Sequence, residues 1–118
     1  IIIFTEFLPG GDLRTLLNEA KAAGFMEEEL QKSVIMDVVA GMKYIHANDV
    51  IHGDLKAKNI LMDSHGRAKV AGFGLSNVVT VLSTGTSVLH MVEGGTTGWT
   101  APEVFEESTS YRASDVYR

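Results

Sequence analysis

The chain has 118 residues and a formal net charge of -5, with 45% hydrophobic and 21% charged residues, an ordinary balance for a globular protein. No basic run stands out, which argues against a nucleic-acid footprint. The absence of cysteine excludes disulfides and thiolate metal sites and permits a reducing compartment, and no apolar run is long enough to span a bilayer.

Ile1 to Phe7 reads as a buried β-strand and not as a signal peptide, which would carry a basic flank and a cleavage site. Pro9-Gly10-Gly11 ends it as a turn. Asp12 is placed to cap a short helix whose Leu13, Leu16, Leu17 and Ala20 share one face, and Gly24 closes it. Glu27, Glu28 and Glu29 then put negative charge at the start of a long helix, where the macrodipole favours it. Leu30, Val34, Val38, Met42 and Ile45 form its apolar stripe, and Ile35 and Val39 widen that stripe. The helix is expected to end near Asn48, a residue that tolerates the left-handed conformation.

From Val50 to Asn59 the pattern is irregular and polar. Ile60-Leu61-Met62 and Arg67 to Ala71 read as two short strands joined by Ser64-His65-Gly66. Gly72 to Gly95 has no period and almost no charge, the signature of a functional or mobile stretch. Ala101 to Glu107 and Ala113 to Tyr117 can start helices. His46, His65 and His90 are isolated, without metal-ligand spacing, so solvent or core positions are expected for them. Both termini read as cut from the middle of a longer chain.

His52-Gly53-Asp54-Leu55-Lys56-Ala57-Lys58-Asn59 places a carboxylate, an ammonium and an amide within one short irregular loop. It resembles the catalytic loop of protein kinases, H-R-D-L-K-x-x-N, with Gly53 in place of the arginine. Further along stand Gly72-Phe73-Gly74, similar to the kinase Asp-Phe-Gly motif without its aspartate, then Gly95-Thr96-Thr97-Gly98-Trp99-Thr100-Ala101-Pro102-Glu103, similar to the end of an activation segment. Ser114-Asp115-Val116-Tyr117 resembles the start of the next kinase helix.

The resemblance implies an α+β, protein-kinase-like fold, specifically a fragment of its C-terminal lobe, mainly helical with a small β-ribbon. It implies phosphoryl transfer, which is mostly positioning plus charge neutralisation. Asp54 would face the attacking hydroxyl, Lys56 would meet the γ-phosphate, and Asn59 would hold a magnesium ion. Thr5 would be the gatekeeper beside adenine, the backbone of Glu6 and Leu8 would bond its edge, and Leu61 would form the floor beneath it. Asp12 would reach the ribose or, on the bland reading, cap the helix. Thr96 would belong to the substrate-facing activation segment.

His52 packing on Phe73, Glu103 paired with an arginine beyond Arg118, and Asp115 bracing the loop backbone would be structural. Lys58 reads as a solvated charge. Lys56 and Thr96 favour serine/threonine specificity whereas Trp99-Thr100-Ala101-Pro102-Glu103 is frequent in tyrosine kinases, a mixture similar to the tyrosine-kinase-like group.

Two departures bear on activity. The aspartate missing at Gly72 would be the main charged ligand of magnesium, leaving Asn59 as a neutral and weaker one. The expectation is strongly reduced phosphotransfer with ATP binding retained, or a pseudokinase that scaffolds partners. Gly53 removes the arginine that pairs with an activation-segment phosphate, so Ser83, Thr84, Thr86 and Ser87 are poor candidates for that switch. Expected partners are ATP, Mg2+ and a protein substrate, with no nucleic acid. Kinase segments on both sides would be needed for a stable domain. The location would be the cytoplasm, either free or as the interior part of a receptor.

Overall fold

The computed structural model describes residues 2–25, 28–78, 96, 98–107 and 111–118. Expectations for Ile1, Glu27, Ser83, Thr84, Thr86, Ser87, His90, Gly95 and Thr97 lie outside the described residues.

Asp12 starts helix α1 (Leu13–Ala22) by accepting from Thr15 N at 3.0 Å and Thr15 Oγ1 at 2.9 Å, which satisfies amide donors that the first turn leaves without partners. Helix α2 (Glu28–Ala47) follows. Strand β1 (Val50–Ile51) leads into an irregular loop that begins at His52, then a 3-10 turn (Ala57–Asn59) and strand β2 (Ile60–Met62). Strand β3 (Ala68–Val70) is followed by a 3-10 turn (Phe73–Leu75) and strand β4 (Asn77–Val78). Helices α3 (Pro102–Glu107) and α4 (Arg112–Tyr117) complete the described elements.

The β2–β3 ribbon is antiparallel, with Ile60 opposite Val70 and Met62 opposite Ala68. Its turn is held by Asp63 Oδ1, which accepts from His65 N at 2.7 Å and Arg67 N at 2.9 Å, the local bonding that makes Asp a turn former. A second ribbon pairs β1 with β4, Val50 opposite Val78. It was not legible in the sequence, because two-residue strands carry no period.

The core is Val34, Ile60, Met62 and Ala68, with Leu13, Leu16, Val38, Leu55 and Val70 packed against it. Helix α2 is tied to the ribbon by Asp37, which takes a forked pair from Arg67 (Nε at 2.9 Å, a terminal nitrogen at 2.5 Å) and Ala68 N at 3.0 Å. The Arg67 hydrogen bonds, followed by that of Ala68, hold the Asp37 carboxyl below its usual range.

Three expectations are corrected here. Ile2 to Phe7 form no strand and stand exposed, Phe4 by 92%, because no other described strand offers them a ladder and a lone strand leaves its backbone to water. Leu30, at the start of the expected stripe, is 40% exposed, and Ile35 and Val39 do not join the buried face, at 60% and 55%. The latter two sit about 100° round the helix from Val34 and Val38, and α2 meets the ribbon on one side only. The left-handed residue ending α2 is Asp49 (φ 58), while Asn48 remains in the turn and donates through Nδ2 to Tyr44 O at 2.8 Å.

Candidate active site

The loop after β1 is anchored from below by one buried carboxylate. Asp115 of α4 is 2% exposed and accepts from His52 N at 2.8 Å, Gly53 N at 2.9 Å and His46 Nε2 at 2.8 Å. His52 is fully buried, its ring 5.0 Å from that of Phe73. Its Nε2 donates to Ala71 O at 2.7 Å, which puts the proton on that nitrogen and leaves Nδ1 to accept from Asp54 N at 3.2 Å. Gly53 has φ +79, and a Cβ there would lie 2.7 Å from Leu75 O. The backbone therefore requires glycine at the position of the family's arginine.

So braced, the loop turns Asp54, Lys56 and Asn59 toward one another. Asp54 Oδ2 meets Lys56 Nζ at 2.8 Å and Asn59 Nδ2 at 3.0 Å, while Oδ1 accepts from Thr96 Oγ1 at 3.1 Å. Lys56 Nζ also donates to Thr96 Oγ1 at 2.5 Å, and Asn59 Nδ2 to Asp54 O at 2.7 Å. Partial burial raises the proton affinity of Asp54, but hydrogen bonds from Lys56, Thr96 and Asn59 and the Lys56 charge outweigh it, holding the carboxyl below its ordinary 3.8. A base with a lowered pKa is ionised above that value and is lost only as pH falls through it. A phosphotransfer profile is thus expected to show no acid limb from this carboxylate between about pH 5 and pH 8; a limb near pH 6 that vanishes in Asp54→Asn would contradict it.

Magnesium asks for oxygen ligands, usually with one or two carboxylates. Position 72 offers none, and a Cβ there would lie 2.3 Å from Asn59 Cγ and 2.4 Å from Asn59 Oδ1. Asn59 thus fills the volume beside Gly72 and spends its amide hydrogens on Asp54. Among the described residues no three His, Cys, Asp or Glu side chains converge as a metal group. The residues present do not fit the magnesium ion of the family's reaction.

In the segment before α1, Gly10 N donates to Met62 O and Met62 N to Gly11 O, both at 2.9 Å. An Asp12–Leu61 bridge continues this docking. Leu8 and Leu61 are half-buried, whereas Thr5 and Glu6 are exposed. The Glu6 carboxylate binds Lys69 Nζ at 2.7 Å, and the Asp12 carboxylate is engaged as the α1 cap.

The chain belongs to the protein kinase domain family, whose model matches residues 1–118. It is 40% identical over 99% of its length to serine/threonine-protein kinase STY17 and 38% over 99% to serine/threonine-protein kinase STY46, both of Arabidopsis thaliana. It is 34% identical over 99% to mitogen-activated protein kinase kinase kinase 3 of Mus musculus. Two of these relatives are named serine/threonine-protein kinases, and the family uses ATP and Mg2+. The chain spans 19%, 19% and 18% of these three relatives. No helix among the described residues is long and apolar enough to cross a membrane.

Some site contacts were not foreseen. His46, expected to be solitary, binds Asp115, 69 residues away; nothing local in the sequence marks that pair. Glu103 has Ser114 as its hydrogen-bond partner, with Ser114 Oγ donating to Oε1 at 2.6 Å. That bond, more than the Arg118 charge, keeps the Glu103 carboxyl below its usual value. Ser114 Oγ in turn accepts from Tyr111 N at 3.1 Å, so it joins α3 to the start of α4.

Proposed function

We propose that this chain carries the hydroxyl-activating part of a site that transfers the γ-phosphoryl group of ATP to serine or threonine hydroxyls of proteins. The observation that carries the reading is the ionised Asp54 carboxylate, set beside the Lys56 ammonium at 2.8 Å. The acceptor hydroxyl gives its proton to Asp54 as its oxygen bonds to the γ-phosphorus, and the bond from that phosphorus to the bridging oxygen of ADP breaks. Lys56 neutralises charge on the transferred group. Asn59 and Thr96 keep the carboxylate aimed. His52, Phe73 and Asp115 act through packing and backbone, and Glu103 through α4.

The backbone of Glu6 and Leu8 meets the adenine edge, Thr5 guards it and Leu61 underlies it. Asp12 shares its carboxylate between helix cap and ribose. The hinge segment docked on β2 supports this assignment. Residues 1–118 form part of a kinase domain whose remaining segments flank them on both sides and complete its core. The domain works in the cytoplasm, free or as the interior part of a receptor.

Asp54→Asn in the full-length protein is expected to lower kcat by at least about a hundredfold, the usual span of general-base catalysis. An unchanged kcat would remove Asp54 from the chemistry. A second reading, a pseudokinase that binds partners without transferring phosphate, draws on the side chain missing at Gly72 and on Asn59 filling its place. It expects no transfer from either form, with partner binding intact in both.

A further inference from the structure

Beside the Asp54 cluster lies a cleft of about 280 Å3, lined by Arg14, Lys56, Ala57, Lys58, Thr96 and Trp99. Three of these six residues are cationic and none is acidic. The cations come from separate elements: Arg14 projects from α1, while Lys56 and Lys58 flank the start of the 3-10 turn that α1 packs against. Lys56 is compensated, with Asp54 at 2.8 Å. The other two differ. Arg14 and Lys58 are both exposed, and no acidic side chain among the described residues forms an ion pair with either. The chain as a whole is acidic, at -5, so an uncompensated positive cleft runs against its overall charge. Trp99, at the same wall, gives the cleft a flat apolar side.

We infer that this cleft selects protein substrates carrying a negatively charged side chain, carboxylate or phosphorylated, within a few residues of the acceptor hydroxyl. This rests on the phosphotransfer reading above and adds the substrate class to it. The physical basis is the pairing of a planar guanidinium and an ammonium with an oxyanion, in a concave site where fields of one sign concentrate. Thr96 lines the cleft and also bonds Asp54, so a peptide held there lies next to the base. Such recognition favours one partner by attraction and rejects basic peptides by like charge.

The test uses the full-length protein and four serine peptides that differ at one flanking position, glutamate, glutamine, lysine or phosphoserine. Binding is read by fluorescence anisotropy, and phosphotransfer is followed in parallel samples. The glutamate peptide is expected to bind about tenfold more tightly than the glutamine peptide, with the gap narrowing as salt is raised. A phosphoserine peptide tighter than the glutamate peptide identifies a phosphorylated residue as the preferred source of charge; the reverse order identifies a carboxylate. In the double variant Arg14→Glu, Lys58→Glu the preference is expected to invert toward a matched lysine peptide, a gain that misfolding does not produce. Equal binding of the glutamate and glutamine peptides, no binding of either, or a preference unmoved by the double variant overturns the inference. Failure of the phosphotransfer reading shows separately, as acidic-peptide binding without transfer to any peptide.

Discussion

Replacing Gly72 by aspartate in the full-length protein is expected to raise magnesium-dependent phosphotransfer by on the order of a thousandfold. That is the rate equivalent of the several kcal/mol a Lewis-acid metal contributes to phosphoryl charge. The backbone there has φ +78, a left-handed conformation that aspartate adopts more readily than most residues. The obstacle is Asn59. A Cβ at position 72 would press on its carboxamide at 2.3–2.7 Å, so the substitution must turn Asn59 away from Asp54 and break bonds of 2.7 and 3.0 Å. Turning it frees the amide oxygen to face the new carboxylate, giving an oxygen pair of the kind magnesium accepts. Gly72→Ala separates the two effects, since it displaces Asn59 without adding a ligand, and no rise is expected from it. If Gly72→Asp turns over no faster than the parent across a magnesium titration, the missing carboxylate is not what limits this site.

The second large effect is on stability. Asp115→Ala is expected to cost about 3–5 kcal/mol, the usual loss when one partner of a buried charged network is removed. The buried amides of His52 and Gly53 would lose their acceptor, and an unsatisfied buried donor costs about 1–3 kcal/mol. His46 would lose its partner as well. Against a total stability of about 5–15 kcal/mol, that brings a domain close to unfolding. Asp115→Asn keeps one acceptor oxygen and is expected to cost less. Urea unfolding of the full-length protein measures both, and a midpoint unmoved in Asp115→Ala would show that water or a rearranged loop replaces the carboxylate.

The loop from His52 to Asn59, the β2–β3 ribbon and the long helix were legible because each has a local signature: a fixed residue order, a strand pair around Ser64-His65-Gly66, a 3.6-residue period. What escaped depended on distance along the chain. The His46–Asp115 pair and the Arg67–Asp37 fork join residues 69 and 30 positions apart, and one sequence gives no sign of which charges meet. Periodicity marked Ile35 and Val39 as apolar but could not say how wide a face the partner elements cover. That position 72 carries no carboxylate was legible. That Asn59 fills the space beside it was not, because the packing of a neighbouring side chain leaves no trace in residue order.

Under the proposed phosphotransfer, the hydrogen bonds around Asp54 also limit how a substrate can arrive. An ionised carboxylate offers about four lone-pair directions. Lys56 and Asn59 take two on Oδ2, and Thr96 takes one on Oδ1. One direction on Oδ1 remains for an incoming hydroxyl, beside that of Thr96. The geometry of approach is therefore set before any substrate binds, and an alcohol whose oxygen reaches the carboxylate from the Oδ2 side finds no vacant acceptor. Discrimination among acceptors of equal acidity then becomes a matter of trajectory.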